Sequence, residues 1–283
     1  MINFPIEAVG KIISERLLEL GLQKIRLPLG ASETEPHVPI FVSSNLETKE
    51  RIIILFYENN QDLGVCAHRL IGGKGGINAG SVINMVKYIQ SLETSPTCAD
   101  APGVILANIG ELQWWRRGKK AVTLAEWHAL PQKSAVEPPY YIDPLKNTIP
   151  GNGNAEEHVA YIFEHVVKEL AGPKAKLNVI GVSEGTIRVT QFLDREENWK
   201  KWGGRVEAYA SVATYTFGDE IKTKEFAGWF RDVSISSTLL LVLTANGVII
   251  ASPSLYHISR AMRCLSCRAR WKSPCQCIWL PNV

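Results

Sequence analysis

Gly181-Val182-Ser183-Glu184-Gly185 follows directly on the apolar run Leu177-Asn178-Val179-Ile180 and leads straight into a helical pattern; no other stretch of the chain restricts its fold so tightly. A G-x-S-x-G between a strand and a helix requires a sharp turn that lifts the central side chain above the end of the sheet. The flanking glycines make such a turn sterically accessible. Beyond it, Ile187, Val189, Phe192 and Leu193 recur at helical spacing, leaving Arg188, Gln191 and Asp194 for solvent. A strand ending in this way belongs at the centre of a parallel sheet, whose carboxyl edge is where open sheets place their sites.

The rest of the chain agrees. Val9, Ile12, Ile13, Leu17 and Leu20 predict an amphipathic first helix that docks on the sheet and is stopped by Gly21. Val38-Pro39-Ile40-Phe41-Val42 reads as a short edge strand, because proline donates nothing to a central ladder. Arg51-Ile52-Ile53-Ile54-Leu55-Phe56-Tyr57 is continuously apolar, as a strand buried on both faces must be. Helices are expected over 81–90, 155–170 and 221–230, and further strands over 103–108, 177–181, 205–213 and 238–244. This alternation predicts an α/β chain, an α/β-hydrolase-like three-layer sandwich with a mostly parallel sheet and right-handed crossovers.

Composition narrows the function classes. Of 283 residues, 46% are hydrophobic and 21% charged, which excludes a disordered chain, and a net charge of +3 is too small to announce a nucleic-acid binder. The first residues show no basic segment followed by an apolar run, so a secreted protein is not expected and the six cysteines read as thiols in a nuclear or cytoplasmic setting. The composition breaks after Asp232: all 28 acidic residues lie at or before it, and four of the six cysteines lie beyond. Residues 239–243 and 248–251, joined through Asn246-Gly247, suggest a hairpin with a type I′ turn. A membrane span over 235–251 is disfavoured by the polar Thr244, Asn246 and Gly247. The expected organisation is one domain over 1–251, followed by an atypical, basic, Cys-rich and poorly packed tail over 252–283.

Several stretches together resemble the Argonaute-binding protein 2 domain of fungal silencing proteins and of class II histone deacetylase C-termini. They are Asn60-Gln61-Asp62-Leu63-Gly64, Gly76-Ile77-Asn78-Ala79-Gly80-Ser81, Pro102-Gly103-Val104-Ile105-Leu106-Ala107-Asn108, Trp127-His128-Ala129-Leu130-Pro131, Pro150-Gly151-Asn152-Gly153-Asn154 and the elbow itself. The match runs from about Arg51 to Phe230. The resemblance implies an α/β-hydrolase-like fold used for assembly in heterochromatin and small-RNA silencing, with silencing or chromatin proteins as partners. It also implies that the elbow serine is not an obligatory nucleophile, since the family varies there.

Read as chemistry, the elbow offers an alternative, a serine hydrolase. Ser183 would be the nucleophile and His257, the sole histidine after it, the base, oriented by Asp219 or Glu220. The oxyanion hole would use backbone N–H groups of Glu184 and of the loop Glu58-Asn59-Asn60. Asn59, Asn60, Gln61 and Asp62, with Asn78 and Ser81, could line a polar pocket beside Ser183 or simply cap and turn the chain. Trp114-Trp115-Arg116-Arg117-Gly118-Lys119-Lys120 joins aromatics to cations on a loop, a pattern suited to weak, salt-sensitive stacking on nucleic acid. Cys264, Cys267, Cys275 and Cys277 have a strained spacing for one tetrahedral zinc, despite the nearby Arg263, Arg268, Arg270 and Lys272. No metal and no cofactor are therefore expected.

Overall fold

The computed structural model describes residues 6–92, 101–212 other than 133, 135 and 139, 220–233, 235–237, 241–244 and 247–250. Asp219, His257, the Cys264–Cys277 set and the tail over 252–283 lie outside the described residues.

Seven strands form the main sheet: β1 (Leu22–Leu27), β2 (Val38–Ser43), β3 (Arg51–Phe56), β4 (Gly103–Leu106), β7 (Lys176–Val182), β8 (Val206–Val212) and β9 (Ile235–Ser237). Their spatial order is β1-β2-β4-β3-β7-β8-β9. From β4 to β9 all pairs are parallel, while β2 runs antiparallel to β4 and β1 antiparallel to β2. The elbow strand β7 sits between β3 and β8, in the interior of the parallel part.

The continuous apolar run of β3 is divided by its period of two. Ile52, Ile54 and Phe56 face one hydrophobic cluster and Ile53 and Leu55 the other. On the first face lie α6 (Ala155–Tyr161), the wider π-type turns of Ile162–Val167, α7 (Lys168–Leu170), α8 (Glu184–Leu193), α9 (Glu196–Trp202) and α10 (Lys224–Val233). They contribute Val159, Phe163, Val166, Phe192, Trp199 and Phe226 to that cluster. Phe163 is its aromatic hinge, stacking on Phe192 at 4.8 Å and meeting Trp202 edge-on at 5.4 Å. On the second face, α1 (Ile6–Glu19) inserts Val9, Ile13 and Leu17, and α4 (Ile83–Gln90) inserts Met85, Val86 and Ile89. Each such side chain contributes roughly 1.5–3 kcal/mol by leaving water. Gly21, at φ 80°, ends the first helix as its sequence predicts.

Three expectations are corrected here. β2 is not an edge strand: Leu22–Leu27, unrecognised in the sequence because its three apolar residues do not alternate with its three polar ones, pairs along the whole of it and forms the edge instead. Pro39 is tolerated because β4 pairs with β2 only at Phe41 and Val42, so the proline lies beyond that ladder. The stretch from Trp114 to Lys120 is a β-hairpin, β5 (Gln113–Trp115) with β6 (Lys120–Val122), followed by α5 (Leu124–His128). The expected hairpin near the C-terminal end is present in another register: β10 (Leu241–Thr244) pairs with β11 (Gly247–Ile250), which places Gly247 opposite Thr244, within the ladder. Short helices α2 (His68–Ile71) and α3 (Gly76–Ala79) connect β3 to α4. Among the described residues no helix is long and apolar enough to cross a membrane.

Candidate functional site

At the end of β7 the backbone of Ser183 adopts φ 52° and ψ −116°, a conformation that costs a non-glycine residue about 1–3 kcal/mol. Both flanking glycines are sterically required. A Cβ on Gly181 would stand 2.6 Å from the Cα of Thr186, and one on Gly185 would stand 2.3 Å from the carbonyl oxygen of Phe56. Three hydrogen bonds clamp the turn: Ser183 N–H to Val212 O at 2.9 Å, Gly185 N–H to Tyr57 O at 3.1 Å, and Thr186 N–H to Ser183 O at 3.0 Å. The elbow is thus tied to the ends of β8 and β3 and opens α8, whose Val189, Phe192 and Leu193 are buried as their spacing predicts. Ile187 is only half-buried.

Ser183 is half-buried, and among the described residues its hydroxyl makes no hydrogen bond. The N–H of Glu184 likewise has no acceptor among them, as an oxyanion donor requires, while its carboxylate accepts from Nε of Arg188 at 2.6 Å. Glu220 is exposed, and Asn59 and Asn60 are exposed beyond β3. Gln61 Oε1 is buried with no hydrogen-bond partner among the described residues, while Asp62, Asn78 and Ser81 are engaged locally. Asp62 faces His68 at 3.3 Å, Asn78 Oδ1 accepts from Arg16 at 2.8 Å and so pins α3 to α1, and Ser81 is fully buried.

Of the histidines described, the one most deeply placed is His158, which is fully buried. Its Nε2 accepts the backbone N–H of Asn108 at 3.1 Å and its Nδ1 lies 2.7 Å from Asn152 Oδ1, so both ring nitrogens are occupied. Burial holds its pKa down, to about 3, and the ring is neutral. Asn108 also donates to Pro39 O at 3.0 Å and to Glu111 at 2.6 Å, and its Oδ1 accepts from Glu111 N–H at 3.1 Å. Asn154 caps α6 by accepting from Glu157 N–H, and Glu157 returns a bond to Gly153 N–H. Sequence reasoning missed His158; its signal was an N-capped helix carrying a histidine on the stripe of Val159, Ile162 and Phe163.

The basic hairpin separates on folding. Trp114 is 3% exposed and packs on His37 at 5.0 Å, so it offers no ring to a base. Lys120 is paired with Glu7 at 2.7 Å and Glu126 at 3.1 Å and lies over the Trp115 ring. Arg116, Arg117 and Lys119 are exposed. A cavity of about 660 Å³ opens between this hairpin, α1 and β1, and it too went unforeseen; Lys24, His37, Asp62, Glu111, Lys120 and Glu126 are among its walls, and Ser183 is not. Burial, with the neighbouring Asp62 and Glu126 carboxylates, pushes the Glu111 carboxyl up to about 7. Burial and then Glu126 raise Asp62 as well. Among the described residues no group of three or more His, Cys, Asp or Glu side chains could hold a metal.

A profile of the Arb2 domain matches residues 3–236, nearly all of the sheet and helices just described. The chain belongs to the Arb2 domain family. Two relatives are cotranscriptional regulator ARB2A homologs. That of Xenopus tropicalis is 26% identical, aligned over 80% of this chain and 58% of its own length, and that of Gallus gallus is 26% identical over 58% and 44%. This Arb2 chain thus spans about half the length of the relatives it matches. Among solved structures, a histone deacetylase from Saccharomyces cerevisiae is 14% identical with a TM-score of 0.42, covering 82% of this chain and 78% of that one. A fungal esterase from Rhizomucor miehei is 12% identical with a TM-score of 0.32, covering 82% and 63%. The Arb2 domain here has an α/β-hydrolase-like fold, carried by its parallel sheet, its two helical layers and its elbow.

Proposed function

We propose that this Arb2 domain is a non-catalytic interaction module of chromatin-directed silencing assemblies, with silencing or chromatin proteins as its partners and the nucleus as a place of work. Family membership and the cotranscriptional regulators among its relatives support the reading. The observation that carries it is where the motif side chains go. The backbone N–H of Asn108 and the side chain of Asn152 both bond to the His158 ring, the Asn108 side chain bonds to Pro39 O and Glu111, and Trp127 Nε1 donates to Tyr140 O at 2.8 Å. Such groups brace the carboxyl-edge loops for recognition and present no acid–base pair to a substrate. The domain, tethered to a reporter gene, is expected to lower transcription to the same extent with Ser183 and with Ser183→Ala. Repression lost in Ser183→Ala, while the folded variant accumulates normally, would sink the reading.

One observation favours a second reading. The backbone of Ser183 retains the strained elbow, with the Glu184 N–H without an acceptor among the described residues, and this is the frame of a serine hydrolase with Ser183 as nucleophile, His257 as base and Asp219 as its orienting acid. Hydrolysis of a nitrophenyl acetate above the Ser183→Ala background supports that reading; equal rates dismiss it.

A further inference from the structure

Away from the elbow, the hairpin β5–β6, α5 and the loop after it enclose a groove of about 450 Å³. Trp115, Trp127, Leu130, Tyr140 and Tyr141 give it apolar walls, and Arg116 and Arg117 stand at its rim. Its frame is fixed: Trp127 is buried and bonded to Tyr140 O, and Tyr140 Oη donates to Pro131 O at 3.0 Å. Apolar exposure concentrates in this segment. Tyr141 is 82% exposed, and Leu124, Val136 and Leu145 of the same stretch also stand in solvent, whereas only Leu18 and Tyr88 do so elsewhere among the described residues. Exposed apolar groups gathered in one place, next to a preformed groove, mark a contact surface.

The charge around it selects the partner. Arg116 and Arg117 are exposed and pair with no carboxylate among the described residues; Arg117 lies only over the Tyr140 ring, at 5.7 Å. Two carboxylates of the same stretch are taken, Glu126 by Lys120 and Asp143 by Lys146, and Glu137 makes no ion pair with either arginine. Two guanidinium forks beside an aromatic groove match carboxylates that flank an apolar side chain, and Trp, Tyr and Arg are the residues that dominate binding energy at interfaces. Nucleic acid fits less well. Trp114 is inside the protein, the Trp115 ring lies against Gly118 and beneath Lys120, and Arg117 covers Tyr140. Tyr141 alone is left as an open platform, where stacking on single strands uses several rings.

We propose that this groove is a docking site for an extended acidic segment of a partner protein, with an apolar anchor seated between Leu130 and Tyr141 and its carboxylates on Arg116 and Arg117. It goes beyond the function proposed above by naming the surface and the chemistry of its partner, and direct binding reads it out whether or not the domain represses transcription. The test is fluorescence anisotropy of the full chain with three labelled probes: a peptide with a central Leu-Trp-Leu flanked by Asp and Glu, the same core flanked by Lys, and oligouridylate. The acidic peptide binds and the basic one does not. Tyr141→Ser, and separately the pair Arg116→Glu with Arg117→Glu, each weaken the acidic peptide at least about tenfold while leaving the melting temperature unchanged, because these side chains are exposed. The proposal is overturned if neither variant weakens binding, if the acidic peptide fails to bind at concentrations on the order of 1 mM, or if oligouridylate binds more tightly than the peptide.

Discussion

The backbone N–H of Asn108 donates to Nε2 of His158 at 3.1 Å, joining the end of β4 to the first turns of α6. Nε2 is therefore the acceptor, and Nδ1 carries the proton toward Asn152 Oδ1 at 2.7 Å. Removing the ring leaves a buried N–H and a buried amide oxygen unpaired beside a cavity. His158→Ala is expected to lower stability by about 2–4 kcal/mol at pH 7, measured by chemical denaturation. The folded state holds this histidine's pKa far below its unfolded value, near 6.5, so its contribution is present above that pH and is lost as pH falls toward 3. The gap between wild type and His158→Ala accordingly narrows on acidification. A gap that widens contradicts a neutral buried imidazole.

Glu111 titrates in the opposite sense. Its carboxyl is raised to about 7, so the folded state holds the proton more tightly than the unfolded chain, and stability declines as pH rises from about 4.5 through 7. Glu111→Gln keeps an oxygen to accept from Asn108 and removes the charge. It should be more stable than wild type by about 1–3 kcal/mol at pH 8 and indistinguishable from it near pH 4. Thermal melts across that range check this; a variant less stable than wild type at pH 8 refutes it.

The elbow makes a prediction about backbone alone. Ser183→Gly relieves a conformation natural to glycine and should raise stability by up to about 1 kcal/mol, while Ser183→Ala should give no such gain. Gly185→Ala, with its Cβ forced to 2.3 Å from Phe56 O, should lower stability by about 3 kcal/mol or more. Melting temperatures of the three variants decide the point.

Contact with single-stranded RNA should be weak and shallow in salt. Lys120 is held by Glu7 and Glu126, so Arg116, Arg117 and Lys119 are the hairpin's available cations. With about 0.7 counterions released per phosphate, the slope of log affinity against log salt should be near −2, not the steeper value of a fourth contact. Changing Lys120 to alanine should leave that slope unaltered. A steeper slope, or one that Lys120→Ala flattens, argues for a larger nucleic-acid face.

Much of the architecture was legible because it depends on periodicity and on one motif. The run of β3 and the spacing in α1, α4 and α8 are local statements of which side meets the core, and the glycines around Ser183 state the turn. β1 was not legible: Leu22 and Leu27 bury only its two ends, while Gln23, Lys24 and Arg26 are exposed, so its strand character comes from pairing with β2. The groove and the Glu111 cavity were hidden for a related reason. Each is made by residues from three or more elements, and no spacing along the chain encodes which loops will meet. Trp114 and Trp115 show the limit at single-residue scale, since strand alternation puts one ring inside and leaves its neighbour half out.

The edge strand that the sequence concealed also bears on whether a second copy could lengthen the sheet. β1 ends the sheet with Lys24 and Arg26 exposed on it. A second copy approaching this border to lengthen the sheet would bring like charges together and have to strip water from them. Lengthening of the sheet by strand addition is thereby disfavoured at that border.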